Sequence, residues 1–300
     1  MEDAASQGRL VATGRPAVEG AKGGRVHKLR GLLAAVIVVG LLAASGCNGP
    51  QVSKPKVISC SIQPVALMAR AIAGDSLKVQ VLSGSDAAPL SNARELLLQG
   101  AVTFETGMPP DAWCAGLSGG RTLLVDLSSV LEDKPANGSW LSFRDAAAMA
   151  RCIRDTLSAT YPELKGTFDA GYTAFVDKCS KADSRLKQLV WKARSRAFLA
   201  PDNIWSGAAH DYGLSLIIRR ELKDLDLATD ASGAMVMQWG DAQGARVVVI
   251  DVKPGESAAV QRLPNGLVLC ALDPFAATGE GSFVEWLEAE HTLLGAALAD

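Results

Sequence analysis

The chain has 300 residues and a formal net charge of −2; 48% of its residues are hydrophobic and 21% are charged. These proportions are typical of folded globular proteins, so a largely disordered chain is not expected. The small net charge and the aromatic content of 5% argue against a nucleic-acid-binding protein, which needs a basic surface and side chains that stack on bases. The length fits two domains or one large domain.

The first feature along the chain is an apolar run, Leu32–Ala44, which follows the basic residues Lys28 and Arg30. The run is shorter than the roughly 20 residues that a membrane-spanning helix needs, and it is typical of an export signal. It ends in Ala-Ser-Gly-Cys, which resembles a bacterial lipobox with Cys47 as the lipidated residue. We therefore predict an export signal over residues 1–46, a tether over 47–55 and a membrane-anchored lipoprotein on the periplasmic side or at the cell surface. The alternative is a plain signal peptide or signal anchor in which Cys47 is incidental.

Strand and helix patterns alternate in the next segment, which we assign to an N-terminal lobe over residues 56–160. Alternation of this kind is typical of a parallel sheet covered by helices. The predicted strands are Val57–Ile62, Leu77–Leu82, Ala101–Phe104 and Thr122–Leu127, and the predicted helices are Val65–Ala73, Ala93–Gln99 and Phe143–Ala159.

One long helix is predicted from Glu163 to about Arg194, within a linking segment over residues 161–195. The segment has no proline after Pro162, and its glycines, Gly166 and Gly171, both come early. A helix of about 30 residues would be roughly 45 Å long, enough to run the length of the molecule. No heptad repeat persists along it, which argues against a coiled coil.

The alternation returns in a C-terminal lobe over residues 196–300. The predicted strands are Ala197–Ala200, Leu214–Ile218, Arg246–Asp251 and Leu267–Leu272, and the predicted helices are Ile204–Tyr212, Ser257–Arg262 and Phe283–Leu298. The fold class predicted for the whole chain is therefore α/β, with two lobes that have parallel sheets and are joined by one long helix.

Five cysteines follow Cys47: Cys60, Cys114, Cys152, Cys179 and Cys270. They are widely spaced and form no Cys-x-x-Cys pair, so neither a zinc cluster nor a redox dithiol is predicted. Most are expected to be small buried residues. An oxidising compartment would permit one disulfide, and the sequence leaves its pairing open.

The layout resembles the metal-binding solute receptors of bacterial zinc and manganese ABC importers. The stretch from Lys54 to Gly84 resembles the opening strand and helix of that family. The stretch from Gly107 to Trp113 resembles its "Gly, apolar loop, acidic residue, x, Trp" loop, and Ser139-Trp140-Leu141 its "His-x-Trp-Leu" helix start. Two stretches fit the second lobe, Tyr212-Gly213-Leu214 and Ala271-Leu272-Asp273-Pro274. The resemblance covers most of the chain after the leader.

The resemblance implies a metal ion held between the lobes by three histidines and one carboxylate, but the histidines are missing here. Their positions are occupied by Ala88, in the stretch after Asp86, by Gly138, and by the stretch Ala200–Asp202. Only the carboxylate, Asp273, is in place. Alanine, glycine and proline carry no donor atoms on their side chains, so a tight zinc site at the family position is not expected.

Three interpretations of this loss remain open. Asp273, Asp202 and Asp86 would make a harder all-oxygen site, better suited to Mn²⁺ or Mg²⁺ than to Zn²⁺. Alternatively, the receptor has changed or lost its ligand. In the third interpretation Asp273 does no more than cap the turn before Pro274.

A rival function from another class is a serine hydrolase. Gly116-Leu117-Ser118-Gly119-Gly120 matches the Gly-x-Ser-x-Gly pattern, and Asp251 and His291 would complete a triad in chain order. The pattern normally lies between a strand and a following helix, whereas here a strand is predicted after it. Ser118 is therefore interpreted as a turn residue, and no catalytic residue is assigned.

The resemblance implies a solute-binding protein, not an enzyme, that captures a divalent metal ion or a replacement small ligand and delivers it to an ABC permease with its ATPase. No resident cofactor is predicted, because a metal ion would be the transported ligand. No nucleic-acid partner is expected, and the membrane contact is the lipid anchor. The alternative to transport is a degenerate receptor scaffold with a structural or interaction role.

Overall fold

The computed structural model describes residues 55–120, 122–132, 137–252, 256–277 and 281–299. The predicted export signal and the lipidation of Cys47 lie outside this part of the chain. Within it, no helix combines the length and the apolar character that a membrane crossing requires.

The first lobe contains a four-stranded parallel sheet in the order β2-β1-β3-β4. Its strands β1 and β3 are almost fully buried, because helices cover both faces, and both are rich in apolar residues. The strands are β1 (Val57–Cys60), β2 (Lys78–Val81), β3 (Val102–Glu105) and β4 (Leu123–Asp126). The helices are α1 (Gln63–Ala73), α2 (Ala93–Gln99), α3 (Trp113–Ser118) and α4 (Phe143–Thr160).

The long helix α5 (Lys165–Trp191) follows a single 3₁₀ turn at Pro162–Leu164. Its 27 residues correspond to about 40 Å. The helix packs on α1 and α4 of the first lobe and on the closing helix α8 (Phe283–Ala299). Gly171 permits the close approach to α1, since a Cβ atom there would lie 2.5 Å from the carbonyl oxygen of Ile72.

The second lobe contains a five-stranded sheet in the order β6-β5-β7-β9-β8. All neighbouring strands are parallel except β8 and β9, which are antiparallel. The strands are β5 (Ala197–Ala200), β6 (Ser215–Ile218), β7 (Val247–Asp251), β8 (Ala259–Arg262) and β9 (Val268–Leu272), and the remaining helices are α6 (Ser206–Asp211) and α7 (Asp230–Gly240). The predicted class, α/β with two lobes joined by a long helix, is confirmed.

In the second lobe one local prediction fails and one helix is missed. The helix predicted over Ser257–Arg262 is wrong, because this segment contains strand β8, which forms a hairpin with β9. The signal for the hairpin was Asn265-Gly266, a dipeptide typical of tight turns, in which Gly266 has φ +84°. Helix α7 was not predicted at all; the side chain of Thr229 caps its start by accepting the Ser232 N–H at 3.3 Å.

The buried apolar side chains form a core that continues from one lobe into the other, with Trp140, Phe143, Phe198, Trp205 and Phe283 in the same cluster. All five cysteines of the described chain are free thiols, and four of them are buried, as expected of small apolar residues. Burial raises the pKa of the Cys179 and Cys270 thiols to about 12, so both remain protonated.

Candidate functional site

Three carboxylates meet at the carboxyl edge of the second sheet. Asp251 is the last residue of β7, Asp273 follows β9 directly, and Asp202 lies two residues after β5. Because β5, β7 and β9 are neighbouring parallel strands, their carboxyl ends lie side by side. The structure therefore brings together the two predicted ligand candidates, Asp202 and Asp273, with a third acid.

The electrostatics of Asp251 report the closeness of the three acids. The pKa of Asp251 is raised to about 6, first because surrounding protein displaces water and next because the negative charges of Asp202 and Asp273 are near. The Lys223 ammonium acts in the opposite direction and favours the carboxylate. Asp251 as a residue remains exposed to solvent, so the displacement of water around its carboxylate is only partial.

Asp202 lies in the turn that follows β5, and both of its carboxylate oxygens already have partners. Its Oδ1 accepts the backbone N–H of Ile204 at 3.1 Å. Its Oδ2 lies 3.2 Å from the Nζ atom of Lys223. A cation bound at this edge would therefore compete with the Lys223 ammonium for Asp202.

Asp273 caps the turn that follows β9. Its Oδ1 accepts the N–H of Phe275 at 3.0 Å, and its Oδ2 accepts the N–H of Ala277 at 2.6 Å. Its own N–H donates to Glu290 of α8 at 2.8 Å. The carboxylate thus has the turn-capping role that one of the three interpretations assigned to it, with the remaining lone pairs open to a further ligand.

The first lobe contributes no described side chain to this carboxylate cluster. Asp86 is exposed in the loop after β2, where its Oδ1 accepts the N–H of Ala88 at 3.0 Å. Ala88, which the resemblance predicts at the first family histidine position, is exposed. Trp113 fixes the same loop from inside the lobe, because its indole N–H donates to the Ala87 carbonyl oxygen at 3.1 Å.

Gly138, which the resemblance predicts at the second family histidine position, lies where the two lobes touch. A Cβ atom there would lie 1.6 Å from the carbonyl oxygen of Ile204, which belongs to the second lobe. Gly138 also has φ +72°, a left-handed conformation that favours glycine. Across the contact, a Cβ atom on Gly207 would lie 2.7 Å from the Gly138 carbonyl oxygen. The two glycines therefore let the backbones of the lobes touch, and no histidine side chain fits at position 138 in this arrangement.

Polar contacts extend this glycine contact into a seam between the lobes. The indole N–H of Trp140 donates to the Pro274 carbonyl oxygen at 2.8 Å, and the hydroxyl of Ser206 donates to the Asn137 carbonyl oxygen at 2.8 Å. Arg144 pairs with Asp211 at 2.8 Å. We use the term lobe seam for these contacts together with Gly138 and Gly207.

In the described part of the chain, no group of three or more His, Cys, Asp or Glu side chains is arranged to hold a metal ion. The negative charges of Asp202 and Asp273 act on Asp251, but a metal ion would have to draw the three carboxylates together. Sequence reasoning missed Asp251 and Lys223 as members of this cluster. The signal available for Asp251 was its position at the end of a strongly apolar strand, where side chains of parallel sheets usually face a ligand.

The hydrolase triad is not assembled. Ser118 is buried at the end of α3 and donates to the Ala115 carbonyl oxygen at 3.1 Å. His291 is buried on α8; its Nε2 lies 2.8 Å from the Leu141 carbonyl oxygen, and burial lowers the pKa of its imidazole to about 3. His291 is thus a neutral core residue, whose ring packs against Phe143, Trp205 and Tyr212.

The profile of the family "Zinc-uptake complex component A periplasmic" matches residues 58–296 of this chain. The chain belongs to this family. The match includes both lobes, the long helix and the carboxylate cluster, and it confirms the resemblance inferred from the sequence. The family is one of solute-binding proteins, not of enzymes.

Among known relatives, the zinc-binding lipoprotein AdcA of Streptococcus pneumoniae is 26% identical over an alignment of 221 residues, and the alignment covers 64% of this chain and 44% of AdcA. The chain thus spans less than half the length of that relative. The crystal structure of the Zn(II)-bound ZnuA-like domain of the same AdcA has a TM-score of 0.64 at 18% identity and covers 81% of this chain and 99% of the domain. The metal-dependent lipoprotein YcdH of Bacillus subtilis has a TM-score of 0.64 at 14% identity, covering 81% and 99%. Both solved structures share the fold.

Proposed function

We propose that this chain is the extracytoplasmic receptor of an ABC importer and that its cargo is a divalent metal cation held by carboxylates. Family membership supports the receptor role. The observation that carries the choice of cargo is the convergence of Asp202, Asp251 and Asp273 at one sheet edge, with the family histidine positions occupied by other residues. Oxygen ligands favour hard cations such as Mn²⁺ or Mg²⁺ over Zn²⁺.

Binding at this site requires a local rearrangement. Lys223 holds Asp202 at 3.2 Å, so an arriving dication would replace the ammonium as the counter-charge of that carboxylate. Of the three acids, Asp251 has the fewest hydrogen-bond and ion-pair partners among the described residues. The negative charges of Asp202 and Asp273 contribute to its raised pKa, so a bound cation would also remove that repulsion. Asp251 would therefore contribute most to the affinity. Asp202 and Asp273 would supply further oxygen ligands, and water would fill the remaining coordination positions.

Metal content and thermal melting test this proposal. The purified protein is analysed for bound metal and then melted without metal and with Mn²⁺, Mg²⁺ or Zn²⁺. A cation at 100 times its dissociation constant adds about 2.7 kcal/mol of stability, which for a chain of this size raises the melting temperature by roughly 5–10 °C. We expect this shift with Mn²⁺ or Mg²⁺, and we expect Asp251→Asn to abolish it.

The matched control is Asp177→Asn, which removes an exposed carboxylate that pairs with Lys181 on the long helix at 2.7 Å. This variant should keep the full shift. A shift that survives Asp251→Asn, or the absence of both co-purified metal and any shift, would contradict the carboxylate site.

The second candidate is a receptor scaffold with a structural or interaction role and no cargo. The lobe seam favours it, because the Ile204 carbonyl oxygen occupies the space that a side chain at position 138 would need, where the resemblance implies a histidine. The absence of any metal effect in the experiment above, together with unchanged metal accumulation in cells that lack the protein, would select this candidate.

We also propose that the chain is exported, anchored by a lipid on Cys47, and docked on a permease with its ATPase. The apolar run before Cys47 supports export. Metabolic labelling with a fatty-acid analogue is expected to mark the protein, and Cys47→Ala is expected to remove the label. Co-purification with a permease tests the partner. We assign no catalytic activity, because the Ser118 hydroxyl bonds within its own helix; ester hydrolysis by the wild type that Ser118→Ala abolishes would contradict this.

A further inference from the structure

The second lobe has a cavity of about 450 Å³ at the edge of its sheet opposite the carboxylate cluster. Arg246 directly precedes β7, and Val268 begins β9. Both residues line the cavity, together with the end of α8 at Leu298. The cavity therefore lies at the amino ends of strands whose carboxyl ends carry Asp251 and Asp273, and it is separate from the candidate metal site.

The lining combines positive charge with an apolar wall. Arg194, Arg246 and Arg262 belong to it, and no acidic residue is among the described residues that line it. Such a concentration of guanidinium groups contrasts with the net charge of −2 of the chain. The apolar wall comes from Leu263, Leu267, Val268 and Leu298.

The fold holds the guanidinium of Arg246 and the backbone of Arg194 in position. The Nη2 atom of Arg246 pairs with Asp241 at 2.9 Å, and its Nη1 donates to the Ala245 carbonyl oxygen at 2.9 Å. The backbone N–H of Arg194 donates to the Leu298 carbonyl oxygen at 3.1 Å, which joins the end of the linking segment to α8. The Arg194 guanidinium is exposed and has no hydrogen-bond or ion-pair partner in the described part of the chain.

We propose that this cavity binds a phosphate monoester with a small apolar body, whose phosphate group lies among the three guanidinium groups. The volume is within the range of small-molecule sites, which is roughly 300–1,000 Å³. Guanidinium groups present a planar pair of N–H donors that matches carboxylate and phosphate oxygens. The leucines and Val268 provide a surface on which the apolar body of the ligand loses its contact with water.

Isothermal titration of the purified full-length chain tests the proposal with defined probes. Octyl phosphate represents a lipid-like ligand and phenyl phosphate a compact soluble one. Of the two controls, 1-octanol has only the apolar chain and inorganic phosphate has only the anionic group. We expect one or both of the phosphate monoesters to bind at least tenfold more tightly than 1-octanol and inorganic phosphate. The monoester that binds more tightly identifies the source of the natural ligand.

Arg194→Gln and Arg246→Gln should each weaken this binding at least tenfold. Arg70→Gln is the matched control, because Arg70 is an exposed arginine in the last turn of α1 in the first lobe, and it should bind like the wild type. The melting temperatures of the three variants without ligand show that each is folded. Absence of binding by both monoesters, equal binding of 1-octanol, or unchanged affinity in Arg194→Gln and Arg246→Gln would overturn the proposal.

Discussion

Replacing Gly138 by alanine tests whether the lobes touch through their backbones. The added Cβ atom would lie 1.6 Å from the Ile204 carbonyl oxygen and 2.7 Å from its carbonyl carbon. Ordinary van der Waals contacts of a Cβ atom are about 3.5–4.0 Å. The two backbones would therefore have to move apart by roughly 2 Å at the centre of the lobe seam.

The expected loss of stability has two parts. Alanine in the left-handed conformation costs about 1–2 kcal/mol, because Gly138 has φ +72°. Overpacking a closely packed contact costs about 1–3 kcal/mol more. The sum of about 2–5 kcal/mol corresponds to a fall in melting temperature of roughly 5–15 °C for a chain of this size.

Gly120→Ala separates the two parts. Gly120 has φ +73°, almost the same as Gly138, but a Cβ atom there would meet no atom within 4 Å. This control should show the conformational cost alone, about 1–2 kcal/mol. Thermal melting followed by circular dichroism measures both variants. Equal losses in Gly138→Ala and Gly120→Ala would refute the backbone contact and mean that the lobes stand apart in solution.

Three further substitutions have defined outcomes. Trp140→Phe leaves the buried Pro274 carbonyl oxygen without its donor and should cost about 1–3 kcal/mol in urea unfolding; an unchanged midpoint would contradict the seam hydrogen bond. The pKa of Glu105 is raised from 4.5 to about 7, first by burial and then by nearby Asp charges. The folded state therefore holds the Glu105 proton to a higher pH than the unfolded state does, and stability falls as the pH rises from 4.5 through 7. The melting temperature of Glu105→Gln should therefore rise relative to that of the wild type as the pH increases from 4.5 to 7. A difference in melting temperature that does not change with pH would contradict this. The pKa of His291 is lowered by burial from 6.5 to about 3, so stability falls as the pH drops from 6.5 towards 3, and His291→Gln should show a shallower fall.

The arrangement of strands and helices was largely predictable because hydrophobic periodicity reports which elements are buried. Strands such as β7, with Val-Val-Val-Ile-Asp at Val247–Asp251, are unmistakable in the sequence. The errors lie where local propensity is weak. Strand β8 reads Ala-Val-Gln-Arg, which is compatible with a helix, and only its pairing with β9 decides its conformation.

Two of the three acids in the carboxylate cluster could be predicted from the sequence. The resemblance indicates Asp202 and Asp273, and the structure adds Asp251. Its position at the end of a strand is a general signal for a residue that faces a ligand, but it does not reveal which residues lie nearby. The lobe seam was not predictable, because a glycine in a sequence does not reveal what approaches it. Gly138 was interpreted as a lost ligand; the structure adds that its missing side chain makes room for the Ile204 backbone.

The lobe seam and the carboxylate cluster raise the question of whether cargo entry needs the lobes to separate. Asp251 contacts solvent while the seam is closed, so a cation can reach it directly. If entry instead required an open form, the apparent dissociation constant would equal the intrinsic value divided by the open fraction. Gly138→Ala, which favours separation of the lobes, would then tighten apparent Mn²⁺ binding. We expect no such tightening, and titration of Mn²⁺ into wild type and Gly138→Ala decides between the two routes. Equal affinities mean that the carboxylate edge binds its cargo with the seam closed; a several-fold gain in the variant would mean that the seam gates the site.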